Sequence, residues 1–185
     1  IRRALAFLRD TTDAAAVGLL GLRIGGALAV RTAAKTSDVD FLVLWQPVIH
    51  GRDYLLEEFR KTLMKQMITF GGSRTTRETL VSRLENGYAL DVDGYRLTPR
   101  LYQEVCGIEL LRIAGRVRCP VLLAEVTHRQ TASDDFRSLQ EALAADVDMQ
   151  VARSQPFWKL LGVVECPELI EGTTAWVANA VEPVT

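Results

Sequence analysis

Histidine is nearly absent: the 185 residues hold two, His50 and His128. No His-rich metal set can be built from them. Cysteine is scarce as well. Cys106, Cys119 and Cys166 are far apart and have no Cys-x-x-Cys spacing, which argues against a zinc or redox pair. Cys119 and Cys166 each precede a proline beside apolar runs, and they read as small buried hydrophobes of a cytoplasmic protein. Cys106 falls at apolar spacing in a helical stretch and reads as core. No segment approaches the ~20 apolar residues of a membrane-spanning helix; residues 14–22 come closest and are interrupted by Gly18 and Gly21. Ile1-Arg2-Arg3 leads into a mixed segment without the small-residue cleavage site of a signal peptide. Charge of one sign is lacking too. The 22 Lys and Arg against 23 Asp and Glu leave a net charge of -1, which gives no electrostatic case for nucleic acid.

What remains is ordinary for a globular domain, with 48% apolar and 24% charged residues. A small-molecule or acyl-type substrate and self-association are both compatible with it, and no cofactor signature is present. Residues 1–10 put Ile1, Ala4, Leu5 and Leu8 on one helical face. Residues 14–20 form an almost wholly apolar run, as a strand covered on both faces would. A helix is expected over 27–34, a turn at Ser37-Asp38 and a second buried strand over 39–45, stopped by Pro47.

From His50 the character changes. Helical spacing over 54–67 mixes Arg52, Arg60, Lys61 and Lys65 with Glu57 and Glu58, a solvated or partner-facing pattern. Gly71-Gly72-Ser73 breaks it, and 76–85 reads as another helix. Asn86-Gly87 and Asp93-Gly94 are turn signals framing a small hairpin over 88–92. Thr98 as N-cap and Pro99 at the first helical position start a helix reaching to about Leu111. No buried strand interrupts this region, so it reads as a helical insertion. Alternation then resumes. A third strand covers 119–126, a helix capped by Ser133-Asp134-Asp135 follows, and then a fourth, shorter strand over 147–152. The last helix, 167–180, carries Leu169, Ile170, Thr173 and Trp176-Val177 on one face. Strands separated by helices imply an α/β fold with a mostly parallel sheet.

The most informative residues are Gly21 to Gly26, between a strand and a helix. The spacing G-x-x-x-G-G does not match the dinucleotide fingerprint, and the next strand ends in Trp45-Gln46-Pro47 rather than an acid. Gly21-Leu22-Arg23-Ile24-Gly25 does have the frame of a nucleophile elbow, G-x-S-x-G. Arg23 stands where the serine would be, and a guanidinium that stays protonated cannot attack a carbonyl. It can present a fixed positive charge beside the backbone N–H of Ile24, an oxyanion-type position. Alternatively, Gly21, Gly25 and Gly26 serve only close strand–helix packing.

The order of elements resembles the C-terminal half of the α/β-hydrolase fold. A further set of residues narrows the resemblance: Gly21-Leu22-Arg23-Ile24-Gly25, Leu42-Val43-Leu44-Trp45-Gln46-Pro47-Val48, Gly51-Arg52 and Tyr54-Leu55, Pro156-Phe157-Trp158, and Cys166-Pro167 with Leu169, Thr173 and Trp176. Together they resemble the exosortase A system-associated hydrolase 2 family, of the bacterial exosortase/PEP-CTERM and exopolysaccharide apparatus. The resemblance implies a hydrolase core in 1–49 and 113–185, a helical lid in 50–112, and a Ser, acid, His triad in chain order. It implies hydrolysis of an ester, thioester or amide. Position by position the triad is degenerate. Arg23 occupies the elbow, and the acid loop offers Asp134 and Asp135, which also suit the first turn of a helix. No histidine follows the fourth strand, where Phe157-Trp158 is expected near a pocket mouth with Trp45. His128 with Asp134 or Asp135 is the other acid–base pairing available. Two readings stay open: a hydrolase of undefined mechanism, and a non-catalytic protein holding an anion at Arg23.

A hydrolase of this fold has about four strands before its elbow, and here one helix and one strand precede Gly21. The sequence therefore reads as the C-terminal part of a protein of roughly 250 to 300 residues, with a sheet edge left open.

Overall fold

The computed structural model describes residues 1–71, 75–160 and 162–181. The chain forms two compact units, Ile1–Ile49 with Leu110–Thr185, and His50–Glu109.

The first unit begins with α1 (Arg2–Thr11), β1 (Gly18–Leu22), α2 (Ile24–Ala33) and β2 (Phe41–Trp45). The second contains α3 (Gly51–Phe70), α4 (Arg77–Glu85), the hairpin β3 (Leu90–Val92) and β4 (Tyr95–Leu97), and α5 (Pro99–Cys106). The first unit resumes with α6 (Leu111–Ala114), β5 (Val121–Thr127), α7 (Asp134–Ala142), β6 (Val147–Arg153), a 3-10 turn at Phe157–Lys159 and α8 (Pro167–Val181).

β1, β2, β5 and β6 form one sheet in that order, every pair parallel. Leu42, Val43 and Leu44 are consecutive and fully buried, as are Leu123 and Ala124. Burial without alternation means that both faces of these central strands are covered, which is why they read as continuous apolar runs. Small side chains on α2 (Ala27, Ala29, Ala33) let that helix lie close to β1 and β2.

Several expectations are corrected. The first strand is Gly18–Leu22, not 14–20, and it lies at the sheet edge with Leu20 56% exposed. Its register starts at Gly18 opposite Phe41. A Cβ at Gly18 would fall 2.1 Å from the Phe41 ring, so that ring takes the space a side chain would need. On α1 only Leu5 is buried, while Ile1 and Leu8 are exposed. β6 equals β5 in length and pairs along all of it, from Val121 opposite Val147 to Thr127 opposite Arg153. On α8, Leu169 and Thr173 are buried but Ile170 is exposed, being about 100° round the helix from Leu169.

The second unit is built on Phe59, Leu84, Leu90, Tyr102 and Val105. The cap at Thr98 is as the sequence suggests, and Thr76 supplies a second. Thr76 Oγ1 accepts from Thr79 N, and Thr98 Oγ1 accepts from Leu101 N with Pro99 next. α3 ends at Gly71 in the left-handed conformation; Gly72 and Ser73, expected to continue that break, lie outside the described residues. The hairpin turns on Asp93-Gly94, both at positive φ (51° and 85°), as a type I′ turn requires. It is therefore centred on one of the two signals rather than framed by both. Asn86 instead closes α4. α5 stops at Cys106, short of Leu111, because the chain straightens so that His50 and Glu109 form an antiparallel bridge. Leu110 N donates to Ile49 O at 3.0 Å, so 110–112 belong to the first unit.

Candidate functional site at the strand-to-helix elbow

β1 runs into α2 through a single residue. Arg23 has φ 56° and ψ -120°, outside the regions an L-residue ordinarily adopts. Such a conformation costs about 1–3 kcal/mol and persists only where the surroundings over-determine it. Four backbone hydrogen bonds do so. Arg23 N donates to Trp45 O at 3.0 Å, and Arg23 O accepts from Gly26 N, Ala27 N and Val48 N. Space decides which glycines are needed. A Cβ at Gly21 would meet the backbone of Gly25 and Gly26 at 2.5 Å, and one at Gly26 would meet Pro47 Cβ at 2.9 Å. Gly25 faces open space.

The Arg23 guanidinium carbon lies 5.2 Å from the Trp158 ring centroid, within cation–π range. Trp158 meets Phe157 edge to face at 5.1 Å. Trp45, Phe157 and Trp158 all pack against an apolar cluster of Ala124, Val126, Ala152, Cys166 and Leu169. Trp45 is anchored further by its Nε1, which donates to Thr173 Oγ1 at 3.0 Å. Trp158 Nε1 is buried and has no hydrogen-bond partner among the described residues.

The structure thus brings Arg23 and Trp158 together at the elbow, with Phe157 beside Trp158. It keeps the two acid candidates out on α7. Asp134 has its side chain 92% exposed and pairs with Arg137, and Asp135 occupies the same first helical turn. His128 is exposed. Three features were not visible in the sequence. Glu125, on β5, is 6% exposed, and its Oε2 accepts from Ser133 N at 2.7 Å; a buried strand carboxylate thus ties down the loop that follows. Gln46 has φ 45°, and its Oε1 accepts from Val126 N at 2.7 Å, tying the end of β2 to β5. The one available signal was a polar residue between a buried strand and Pro47. In the second unit, His50 Nδ1 lies 2.9 Å from Glu109 Oε2, a pair separated by 59 positions. No cluster of three metal-ligating side chains occurs among the described residues. No helix among them is long and apolar enough to cross a membrane.

Chemically, the elbow holds a permanent cation where this kind of turn would present a nucleophile. Charge recognition is open to it; nucleophilic attack is not.

A parallel sheet with such an elbow defines the class: this is the α/β-hydrolase fold. The solved structures it resembles include acetyl xylan esterase 1 from Thermoanaerobacterium sp., at 12% identity and TM-score 0.55, covering 97% of this chain and 51% of that one. Alpha/beta hydrolase domain-containing protein 10 from mouse is similar at 18% identity and TM-score 0.58, with 98% and 68% covered. Est1E from Butyrivibrio proteoclasticus is similar at 15% and 0.59, with 97% and 68% covered. The chain thus spans between half and about seven-tenths of the length of the structures it resembles. No family model and no curated protein matches the sequence.

Proposed function

We propose that this chain is part of an α/β-hydrolase-fold protein whose elbow recognises an anion instead of attacking a carbonyl. The observation that carries the reading is Arg23 itself. The strained elbow backbone is kept while the residue on it is an arginine stacked on Trp158. The ligand is a carboxylate or phosphate, held by the guanidinium beside the first amides of α2, where the helix end favours negative charge. Trp45, Phe157 and Trp158 supply apolar surface for an acyl-type body. The helical unit is the lid insertion of this fold. The sequence resemblance supports placing the protein with the exosortase and exopolysaccharide apparatus.

The test uses hexanoate as probe. Titration followed by tryptophan fluorescence should show saturable binding, and Arg23→Gln should weaken it about tenfold. Turnover of p-nitrophenyl acetate should be negligible. Clear turnover that vanishes on changing a single Ser, Asp, Glu or His would refute the reading.

Hydrolysis of an ester, thioester or amide is the second reading, favoured by the retained elbow geometry. It requires a nucleophile other than residue 23.

A further inference from the structure

The elbow lies at the carboxyl end of β1. Since all four strands are parallel, the opposite end of the sheet is the edge where β2 and β5 begin. A cavity of about 550 Å³ opens there, inside the range of small-molecule sites. Three cations line it: Lys35, Arg116 and Arg118. Val39 and Cys119 form part of its apolar wall. Burial pushes the Cys119 thiol up from its ordinary range, so it meets a ligand as a neutral, weakly polar surface.

The three cations of this cavity have no ion-pair partner among the described residues. Asp40, its carboxylate, already takes Arg9 Nη2 at 2.7 Å and Val17 N at 2.6 Å. Asp38 stands nearby and takes Thr36 Oγ1 at 2.6 Å. Arg118 is fixed by Nη1, which donates to Gly115 O and Val117 O; Nε and Nη2 have no such bond among the described residues. The side chains of Lys35 and Arg116 make no hydrogen bond or ion pair among the described residues. The C-terminal end of α2 brings about half a negative charge to this edge, and α6 is too short to add much. Three cations exceed that half-charge and Asp38 together.

We propose that this cavity binds a phosphate-bearing small molecule. Lys35 and Arg116 take the phosphate, Arg118 flanks it, and the apolar part of the ligand rests against Val39 and Cys119. A guanidinium fork matches phosphate oxygens in pairs, and the apolar wall favours an organic phosphate over the bare ion.

Phenyl phosphate and inorganic phosphate are the probes, titrated calorimetrically at low ionic strength. The full chain is used in an Arg23→Gly background, so that binding at the elbow does not contribute. Phenyl phosphate should bind saturably, and more tightly than inorganic phosphate. The double substitution Lys35→Ala with Arg116→Ala should weaken it by about tenfold or more, with the urea midpoint unchanged because both residues are exposed. Should the double variant fail to fold, Lys35→Gln and Arg116→Gln singly should each weaken it about threefold. Arg153→Ala, at the other end of the sheet, should change nothing. The proposal is overturned by absence of saturable binding, by equal binding in the Lys35 and Arg116 variants, or by an equal loss in Arg153→Ala. Equal affinity for the two probes would overturn the apolar wall's role.

Discussion

Replacing Arg23 by glycine and by alanine separates backbone strain from side-chain contact. Both variants remove the guanidinium over Trp158, a contact worth about 0.5–1 kcal/mol at a partly exposed site. Alanine keeps a Cβ at φ 56° and ψ -120°, so the strain of about 1–3 kcal/mol remains. Glycine removes the strain but adds about 0.5–1 kcal/mol of unfolded-chain entropy. The difference favours glycine by about 1 kcal/mol. Relative to the parent, Arg23→Ala should be destabilised by about 1 kcal/mol, while Arg23→Gly should lie close to it. Urea denaturation measures both, and the Tm values should be separated by about 2–4 °C for a chain of this length. If alanine were equal to or more stable than glycine, residue 23 would not be held at positive φ, and the turn would not be a strained elbow.

Gly21→Ala and Gly25→Ala form a second pair. The Gly21 Cβ would meet backbone at 2.5 Å, so the turn must shift at a cost of about 3 kcal/mol. Gly25→Ala enters open space on a helix and should gain about 0.5 kcal/mol, both read by urea midpoint. Thr173→Val removes the acceptor of the Trp45 indole N–H and should cost about 1–3 kcal/mol, with an altered tryptophan emission, whereas Thr173→Ser should keep most of the stability.

The sequence carried the sheet well because burial on both faces leaves a local signature. Leu42-Val43-Leu44 and Val121 to Ala124 cannot be mistaken for half-exposed strands. The cap at Thr98 was legible for the same reason: a hydroxyl and the amide it serves are three residues apart. Arg23 was legible as an elbow position because Gly21 and Gly26 must both be small for the turn to close. What the sequence concealed depends on distant partners. Glu125 looks like one polar residue in an apolar strand until Ser133 N is found on it. Gln46 reads as a strand end, and its positive φ appears only when its side chain reaches Val126. His50 and Glu109 meet only because the helical unit returns the chain to its starting point. Leu20 was read as covered because its composition matches that of the central strands; edge and centre differ in neighbours, not in local pattern.

The two margins of the sheet are unequal. β6 reads VDMQVAR and carries Asp148 and Arg153, charges of the kind that discourage strand addition. β1 reads GLLGL and has no charge and no proline, the devices with which a natural edge is usually blunted. Further growth of this sheet is therefore directional, admitted beside Leu20 and resisted beside β6. A strand added there would leave Arg23, at the end of β1, between neighbouring strands instead of beside an open edge. The guanidinium would then have less water around it, and its attraction for any anion would strengthen as the local dielectric fell.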